Sequence, residues 1–325
     1  MPTDQLQLAL VGCGVVARRH TECLKNDARR RWAVFCDPRR EAAEAFRAEY
    51  GPQAAVETDF LRALDDHRLD GVLLCSPNAL HYEQVCAALE RGLHVMCEKP
   101  LAVRRDHIED LTRRAHASGK IVSIAHQRRY KAAYATALRE LTASADVYGP
   151  VRQVHVFTCE HWSHSIAGTW RNDPTQNLGY CGDAGIHQID VVHYLTGRKA
   201  ERLYAVGETR GTQVQVVTRI LAEFAGGIGL AAHYVGDAHH YREDIHLHCE
   251  RADLLLRTEQ LLRAKQNQVE PIADMLPENN PASAFVDAVL AGKQTISPVE
   301  IALPIFAWNE AVKKSLTTDG WVDVD

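Results

Sequence analysis

The sequence predicts an α/β chain in two parts. Residues 1–125 read as an N-terminal domain built on a doubly wound parallel sheet. Residues 126–325 read as a C-terminal α+β domain with a large, mainly antiparallel open sheet. Three observations predict this. Short apolar runs alternate with helical patterns through the first third of the chain. A G-x-G-x-x-A stands between the first run and the first helix. After Gly149-Pro150 the pattern changes to strand-like runs joined by short turns.

In order, residues 7–12 read as a buried strand and 15–25 as a helix. Strand 32–36 precedes helix 40–50, and strand 71–75 precedes a helix over 81–91 closed by Gly92. Strand 93–97 then precedes a helix over 106–118 closed by Gly119, and 121–125 is the last strand of the set. Such alternation implies right-handed crossovers and a parallel sheet. In the second part, residues 151–159, 202–208, 213–224, 228–234 and 244–256 read as strands. Gly226-Gly227 marks a hairpin between two of them. Helical patterns cover 131–144, 186–195, 282–291 and 299–317, and the last helices are placed to pack back on the first domain.

A chain of 325 residues suits two domains, and 46% hydrophobic with 24% charged residues is the balance of a soluble protein. A net charge of -5 argues against nucleic acid or an anionic membrane as partner. The nine cysteines are odd in number and form no Cys-x-x-Cys pair, which fits reduced thiols in a cytoplasm. The first residues, MPTDQLQLALVGCG, carry an early acid and only a short apolar run. They read as neither a signal peptide nor a membrane span.

Ligands of doubly wound sheets bind beyond the carboxyl ends of the strands. Those ends carry Gly12 to Ala17, then Asp37, Ser76-Pro77-Asn78, Glu98-Lys99-Pro100 and His126-Gln127-Arg128. In the glycine motif, Gly12 permits a tight turn, Gly14 lets a pyrophosphate approach the backbone, and Ala17 allows close helix–sheet packing. The helix start at Val15 and Val16 supplies free N–H groups and partial positive charge for phosphates. Gly12, Cys13, Gly14, Val15 and Val16 are thus the candidate phosphate loop. Asp37, about 20 residues beyond Ala17, is the candidate acceptor for ribose hydroxyls and favours NAD over NADP. Arg39 and Arg40 stand near enough to receive a 2′-phosphate, so NADP remains the lesser expectation.

In the second part lies GDAGIHQIDVVHYLTG, residues 182–197. On one continuous helix, Asp183, His187 and Asp190 would share a face. Two carboxylates flanking a histidine can hold its tautomer and make it a better base. The plainer reading makes Asp183 an N-cap, His187 a satisfied core residue and Asp190 a solvated one. The loop with Trp162, Trp170 and Arg171 has the composition of a sugar-binding segment or of a core cover. His246 and His248 alternate on one strand, but no acid or cysteine pattern completes a metal site, so no metal is expected.

With Gly12-Cys13-Gly14, Ser76-Pro77-Asn78, His81, Glu98-Lys99-Pro100 and Asp183-x-x-x-His187 in this order, the sequence resembles the Gfo/Idh/MocA oxidoreductases almost end to end. The resemblance implies a Rossmann domain that binds NAD. It places Lys99 at the nicotinamide end, its turn fixed by Pro100 through a cis bond, with Glu98 contacting the cofactor or positioning the lysine. Ser76, Pro77, Asn78 and His81 would line the cofactor cleft, and Gln127 or Arg128 its far wall. Asp183 and His187 would complete the catalytic group. Substrate contacts would come from Lys99, Arg128, Trp162, Trp170, Arg171, Asp183 and His187.

A free lysine amine titrates near about 10.4 and a histidine near about 6.5. His187 is therefore the expected proton acceptor, and Lys99 the group that bonds the reacting oxygen. The expected reaction moves hydride between nicotinamide and a secondary alcohol or ketone of a sugar, sugar derivative or cyclitol. The segments SPNALHY, CEKPLA and TWRNDP resemble the branch that acts on nucleotide-linked amino sugars, within a broader expectation of free sugars, glycosides or cyclitols. The alternatives are an NAD-dependent glycoside-cleaving enzyme using transient oxidation and a non-catalytic NAD- and sugar-binding regulator. An open sheet face would need covering, so a homodimer or homotetramer is expected.

Overall fold

Six short apolar strands generate the first sheet. They are β1 (Leu6–Val11), β2 (Arg30–Cys36), β3 (Ala55–Glu57), β4 (Gly71–Leu74), β5 (His94–Cys97) and β6 (Val122–Ile124). All pair in parallel, in the order β3-β2-β1-β4-β5-β6. Strand β4 is buried along its whole length, which is why Gly71-Val-Leu-Leu74 shows no alternation. Between the strands run α1 (Val15–Leu24), α2 (Arg40–Tyr50), α3 (Phe60–Asp65), α4 (His81–Glu90) and α5 (Arg105–Ser118). The sheet order turns at β1, flanked by β2 and β4, and this is the switch point where such folds bind ligands. The computed structural model describes residues 5–175 and 177–325, the Trp170 side chain excepted.

β3 and α3 were not expected from sequence. The strand has three half-buried residues. The helix has six, and it starts because Asp59 accepts a hydrogen bond from the Arg62 amide at 2.9 Å. Neither is long enough to display a period.

Among the described residues the second sheet has nine strands: β7 (Val151–Cys159), β8 (Ala200–Glu208), β9 (Val217–Phe224), β10 (Ile228–Val235), β11 (Arg242–Cys249), β12 (Asp253–Arg257), β13 (Gln260–Lys265), β14 (Gln268–Pro271) and β15 (Val322–Asp323). Their order is β14-β13-β12-β11-β7-β10-β9-β8-β15. Among the described residues, only the β7–β10 pair is parallel. Gly226 and Gly227, at φ 86 and 74, make the β9–β10 hairpin that the glycine pair predicts. Two expectations are corrected. Residues 244–256 are not one strand but β11 and β12, paired antiparallel across a turn. Residues 213–216 stand outside β9, where Gln215 bridges Gly179 instead.

On this sheet, β9 and β10 alternate buried and accessible residues. The inner face carries α6 (Ala132–Ala143), α7 (Ala145–Tyr148), α8 (Tyr180–Asp183) and α9 (Ile186–Thr196). Tyr134, Val154, Ile189, Val192, Phe224 and Tyr234 share its core. The chain then forms α10 (Pro281–Ala291) and α11 (Ala302–Thr318). Asn280 caps α10 by accepting from the Ser283 amide at 2.9 Å, and Pro281 follows at its first position. Phe285 and Val286 of α10 join Leu8, Met96 and Ile121 in the core of the parallel sheet. The chain thus falls into two compact units, residues 1–127 with 279–303, and residues 128–278 with 304–325. Among the described residues no helix is long and apolar enough to cross a membrane.

Candidate active-site residues

The glycine loop after β1 is shaped by the loop after β4. Gly12 has φ 85, and a Cβ there would lie 2.7 Å from the Cys75 carbonyl carbon and oxygen. Only glycine allows this approach. A Cβ on Gly14 would meet nothing within 4 Å, so that side of the loop is open. Gly14 begins α1 without a side-chain cap, and Val15 and Val16 beside it are exposed. An uncapped helix start next to an open glycine is suited to phosphate. Burial pushes the Cys13 thiol up to about 12, with Asp37 adding to it, so this cysteine stays protonated and offers no nucleophile.

Asp37 sits where the second strand ends, 6% exposed. Its Oδ2 accepts from the Cys13 amide and its Oδ1 from the Arg39 amide, both at 2.9 Å. It therefore ties the glycine loop to β2, keeping about half of its acceptor positions for a ligand. The Arg39 side chain is exposed, with Nε 3.4 Å from Asp37 Oδ1.

Two loops meet beside this one. Ser76 donates to Gln84 Oε1, and Pro77 precedes a short 3-10 turn, Asn78–Leu80. His81 opens α4 and is fully buried. Its Nδ1 lies 2.8 Å from the Pro100 carbonyl and its Nε2 3.0 Å from the Ser76 carbonyl. The expectation that His81 contacts the cofactor is thereby corrected, because it joins two loops from beneath and presents no surface. Burial lowers its proton affinity, while the two carbonyls and Glu98 raise it. The balance lies below its ordinary value.

Glu98 is buried, its Oε1 2.7 Å from His20 Nε2 and its Oε2 accepting from the Lys99 amide at 3.2 Å. Burial alone would raise this carboxyl, but His20 and Lys99 carry it below its ordinary value. Of the two roles expected of Glu98, holding the lysine is the one its geometry suits. Lys99 is half-buried and its bond to Pro100 is cis. His20 was not foreseen. Its only trace in sequence is a polar residue within the buried stripe Ala17, His20, Thr21, Leu24.

Gln127 begins a 3-10 turn, Gln127–Tyr130, and its Oε1 is buried with no hydrogen-bond partner among the described residues. A buried amide oxygen left without a donor fits a ligand that supplies one. With the open side of Gly14 and the uncapped start of α1, the residues present fit a dinucleotide.

The second unit holds the remaining candidates. Asp183, His187 and Asp190 do not share one helix. Asp183 ends α8, and the chain breaks at Ala184-Gly185 before α9. A Cβ on Gly185 would lie 2.6 Å from a Tyr234 ring carbon, so the chain passes that ring on a glycine. Asp183 Oδ2 accepts from Arg171 Nε at 2.8 Å and from Trp162 Nε1 at 3.3 Å. Trp162 is 6% exposed and packs on Tyr180, so its expected contact with substrate is corrected to a core position that steadies Asp183. The Trp170 side chain lies outside the described residues.

Asp190 is not solvated. It is 0% exposed and paired with Arg129, Oδ1 2.7 Å from Nη2. Arg128, expected on a cleft wall, directs its guanidinium to Glu243, Nη2 to Oε2 2.9 Å, and to the Tyr241 hydroxyl at 3.2 Å. Glu243 also accepts from Tyr134 and Gln188. Burial would raise Glu243, but Arg128 and these donors lower it below its ordinary value. No sequence signal marked Glu243, an acid within a strand.

Residues 6–126 match the family model of an oxidoreductase family with an NAD-binding Rossmann fold. Residues 136–255 match the GFO/IDH/MocA C-terminal domain. Over 203 residues the chain is 32% identical to a D-glucoside 3-dehydrogenase of Escherichia coli strain K12, covering 61% of this chain and 56% of that protein. Over 192 residues it is 31% identical to an inositol 2-dehydrogenase of Paracoccus denitrificans, covering 58% and 54%. It thus spans about half the length of the curated relatives it matches. The crystal structure of an oxidoreductase domain protein from Kribbella flavida has the same fold, with TM-score 0.87 and 23% identity over 99% of this chain and 100% of that one. Matched in both its halves and over well more than half its length, the chain belongs to the GFO/IDH/MocA family of oxidoreductases.

Proposed function

We propose that this protein is an NAD-dependent oxidoreductase acting on a secondary alcohol, or the matching ketone, of a sugar, sugar derivative or cyclitol. The observation that carries the reading is Lys99, held on a rigid turn at the carboxyl end of β5, in the same unit as an open glycine loop and an uncapped helix start. Bound there, NAD would supply the hydride acceptor. The glycine loop and the start of α1 would bind its phosphates, Asp37 its ribose and Gln127 Oε1 a donor of the ligand. The Asp37 carboxylate favours NAD by repelling a 2′-phosphate.

In this reading Lys99 hydrogen-bonds the reacting oxygen and stabilises the negative charge that develops on it. His187 takes the hydroxyl proton, and Asp183, itself held by Arg171 and Trp162, orients the histidine or binds a neighbouring hydroxyl. The names of the relatives, a glucoside and an inositol dehydrogenase, support the polyol class. Exposed Val206 and Leu221 on the outer face of the large sheet support a homodimer or homotetramer, read by light scattering.

The test is NADH absorbance with NAD⁺ and a panel of hexoses, glycosides, inositols and nucleotide sugars. Turnover with one class, lost by at least about a hundredfold in both Lys99→Ala and His187→Ala, is expected. Near wild-type turnover in both variants refutes the assignment.

A further inference from the structure

His20 lies on the inner face of α1, 3% exposed, on a stripe otherwise lined by Ala17, Thr21 and Leu24. Its partner, Glu98, is 78 positions away in the chain and equally hidden. Two aliphatic side chains in such a place are often as stabilising as a buried ionisable pair, or more so. Stability alone therefore gives little reason for the pair. Its connections give a better one. Glu98 holds the Lys99 amide with the oxygen that His20 leaves, while α1 begins at the open Gly14. From the other side, His81 of α4 reaches the Pro100 carbonyl at 2.8 Å. Residues 98–100 are gripped at both ends by buried imidazoles from two helices.

We propose that His20 is a positioning residue for Lys99. Its Nε2–H donates to the ionised Glu98 carboxylate. That fixes the rotamer in which Oε2 accepts the Lys99 amide, and it ties the lysine turn to the helix that opens at the glycine loop. For its kinetic consequence, though not for its geometry, this rests on the oxidoreductase reading above. The role requires a donor at the imidazole position and not merely a filled volume. His20→Gln keeps a donor there, whereas His20→Ala and His20→Phe do not.

The test uses the full chain. Hydrogen exchange of a peptide covering residues 97–102, without any ligand, is expected to speed up about tenfold or more in His20→Ala and to stay near wild type in His20→Gln. NADH affinity, read by NADH fluorescence, changes less than about threefold, while kcat falls about 10- to 100-fold in His20→Ala and recovers in His20→Gln. The acid limb of the kcat profile moves to higher pH in His20→Ala, because Glu98 without its donor takes up a proton sooner. If His20→Ala does not fold, His20→Phe takes its place. The proposal is overturned if exchange is unchanged, if His20→Gln is as impaired as His20→Ala, or if the loss of kcat is matched by an equal loss of NADH affinity. A wild-type protein that oxidises no member of the panel refutes the oxidoreductase reading instead, and the exchange result then decides the placement of Lys99 by itself.

Discussion

Asp190→Ala tests the buried ion pair that Asp190 of α9 makes with Arg129. Arg129 Nε lies 3.0 Å from both Asp190 oxygens and Nη2 lies 2.7 Å from Oδ1, with side chains 6% and 0% exposed. Removing one member of such a pair costs about 3–5 kcal/mol, because the remaining charge stays desolvated. The Arg129 guanidinium also sits 4.7 Å from the Tyr194 ring centroid, a contact that retains about 1 kcal/mol for the cation. The expected cost is therefore near the lower bound, about 3 kcal/mol. The double variant Arg129→Met with Asp190→Leu, which removes both charges and keeps apolar volume, is expected within about 1–2 kcal/mol of wild type. Hydrogen exchange of the α9 peptide in rising urea reports this unit without interference from the other. A cost below about 1 kcal/mol for Asp190→Ala, or a double variant as unstable as the single one, refutes the reasoning.

Gly12→Ala would drive a Cβ to 2.7 Å from the Cys75 carbonyl at a left-handed φ. It is expected to cost about 1–3 kcal/mol and to weaken NADH binding at least about tenfold, measured by thermal melting and NADH fluorescence. Burial holds His193 below its ordinary value of 6.5, with the Arg198 carbonyl and Asp190 opposing and Arg129 adding to the fall. A depressed folded-state value gives stability that is present above pH 6.5 and lost as pH falls through the lower value. His193→Gln should therefore flatten the fall of Tm between about pH 6.5 and pH 5, and an unchanged slope counts against this. Asp37→Asn removes the charge proposed to meet the ribose and should narrow the preference for NADH over NADPH by about tenfold or more in competition binding.

The parallel sheet was legible because its strands are buried runs and its helices are long enough to show a period. β3, α3 and the polar edge strand β14 lack both signals. The candidate site was legible where its residues are contiguous, as in Gly12 to Ala17 and Glu98-Lys99-Pro100. It was not legible where the chemistry lies in pairings between distant positions. His20 meets Glu98 across 78 positions, Arg129 meets Asp190 across 61, and Arg128 meets Glu243 across 115. No local pattern encodes these contacts. The proposed stripe of Asp183, His187 and Asp190 failed for a similar reason. Helical spacing assumed one continuous helix, and the segment is two, ending at Asp183 and restarting at Ile186.

The return of residues 279–303 to the first unit has a consequence for synthesis. A ribosome delivers the whole parallel sheet well before Phe285 and Val286, which complete its core against Leu8, Met96 and Ile121. Until then the nascent sheet carries an uncovered apolar patch while residues 128–278 of the second unit are being translated. At about 5–20 residues per second that interval lasts roughly 8–30 s, long enough for a chaperone to be the natural temporary occupant.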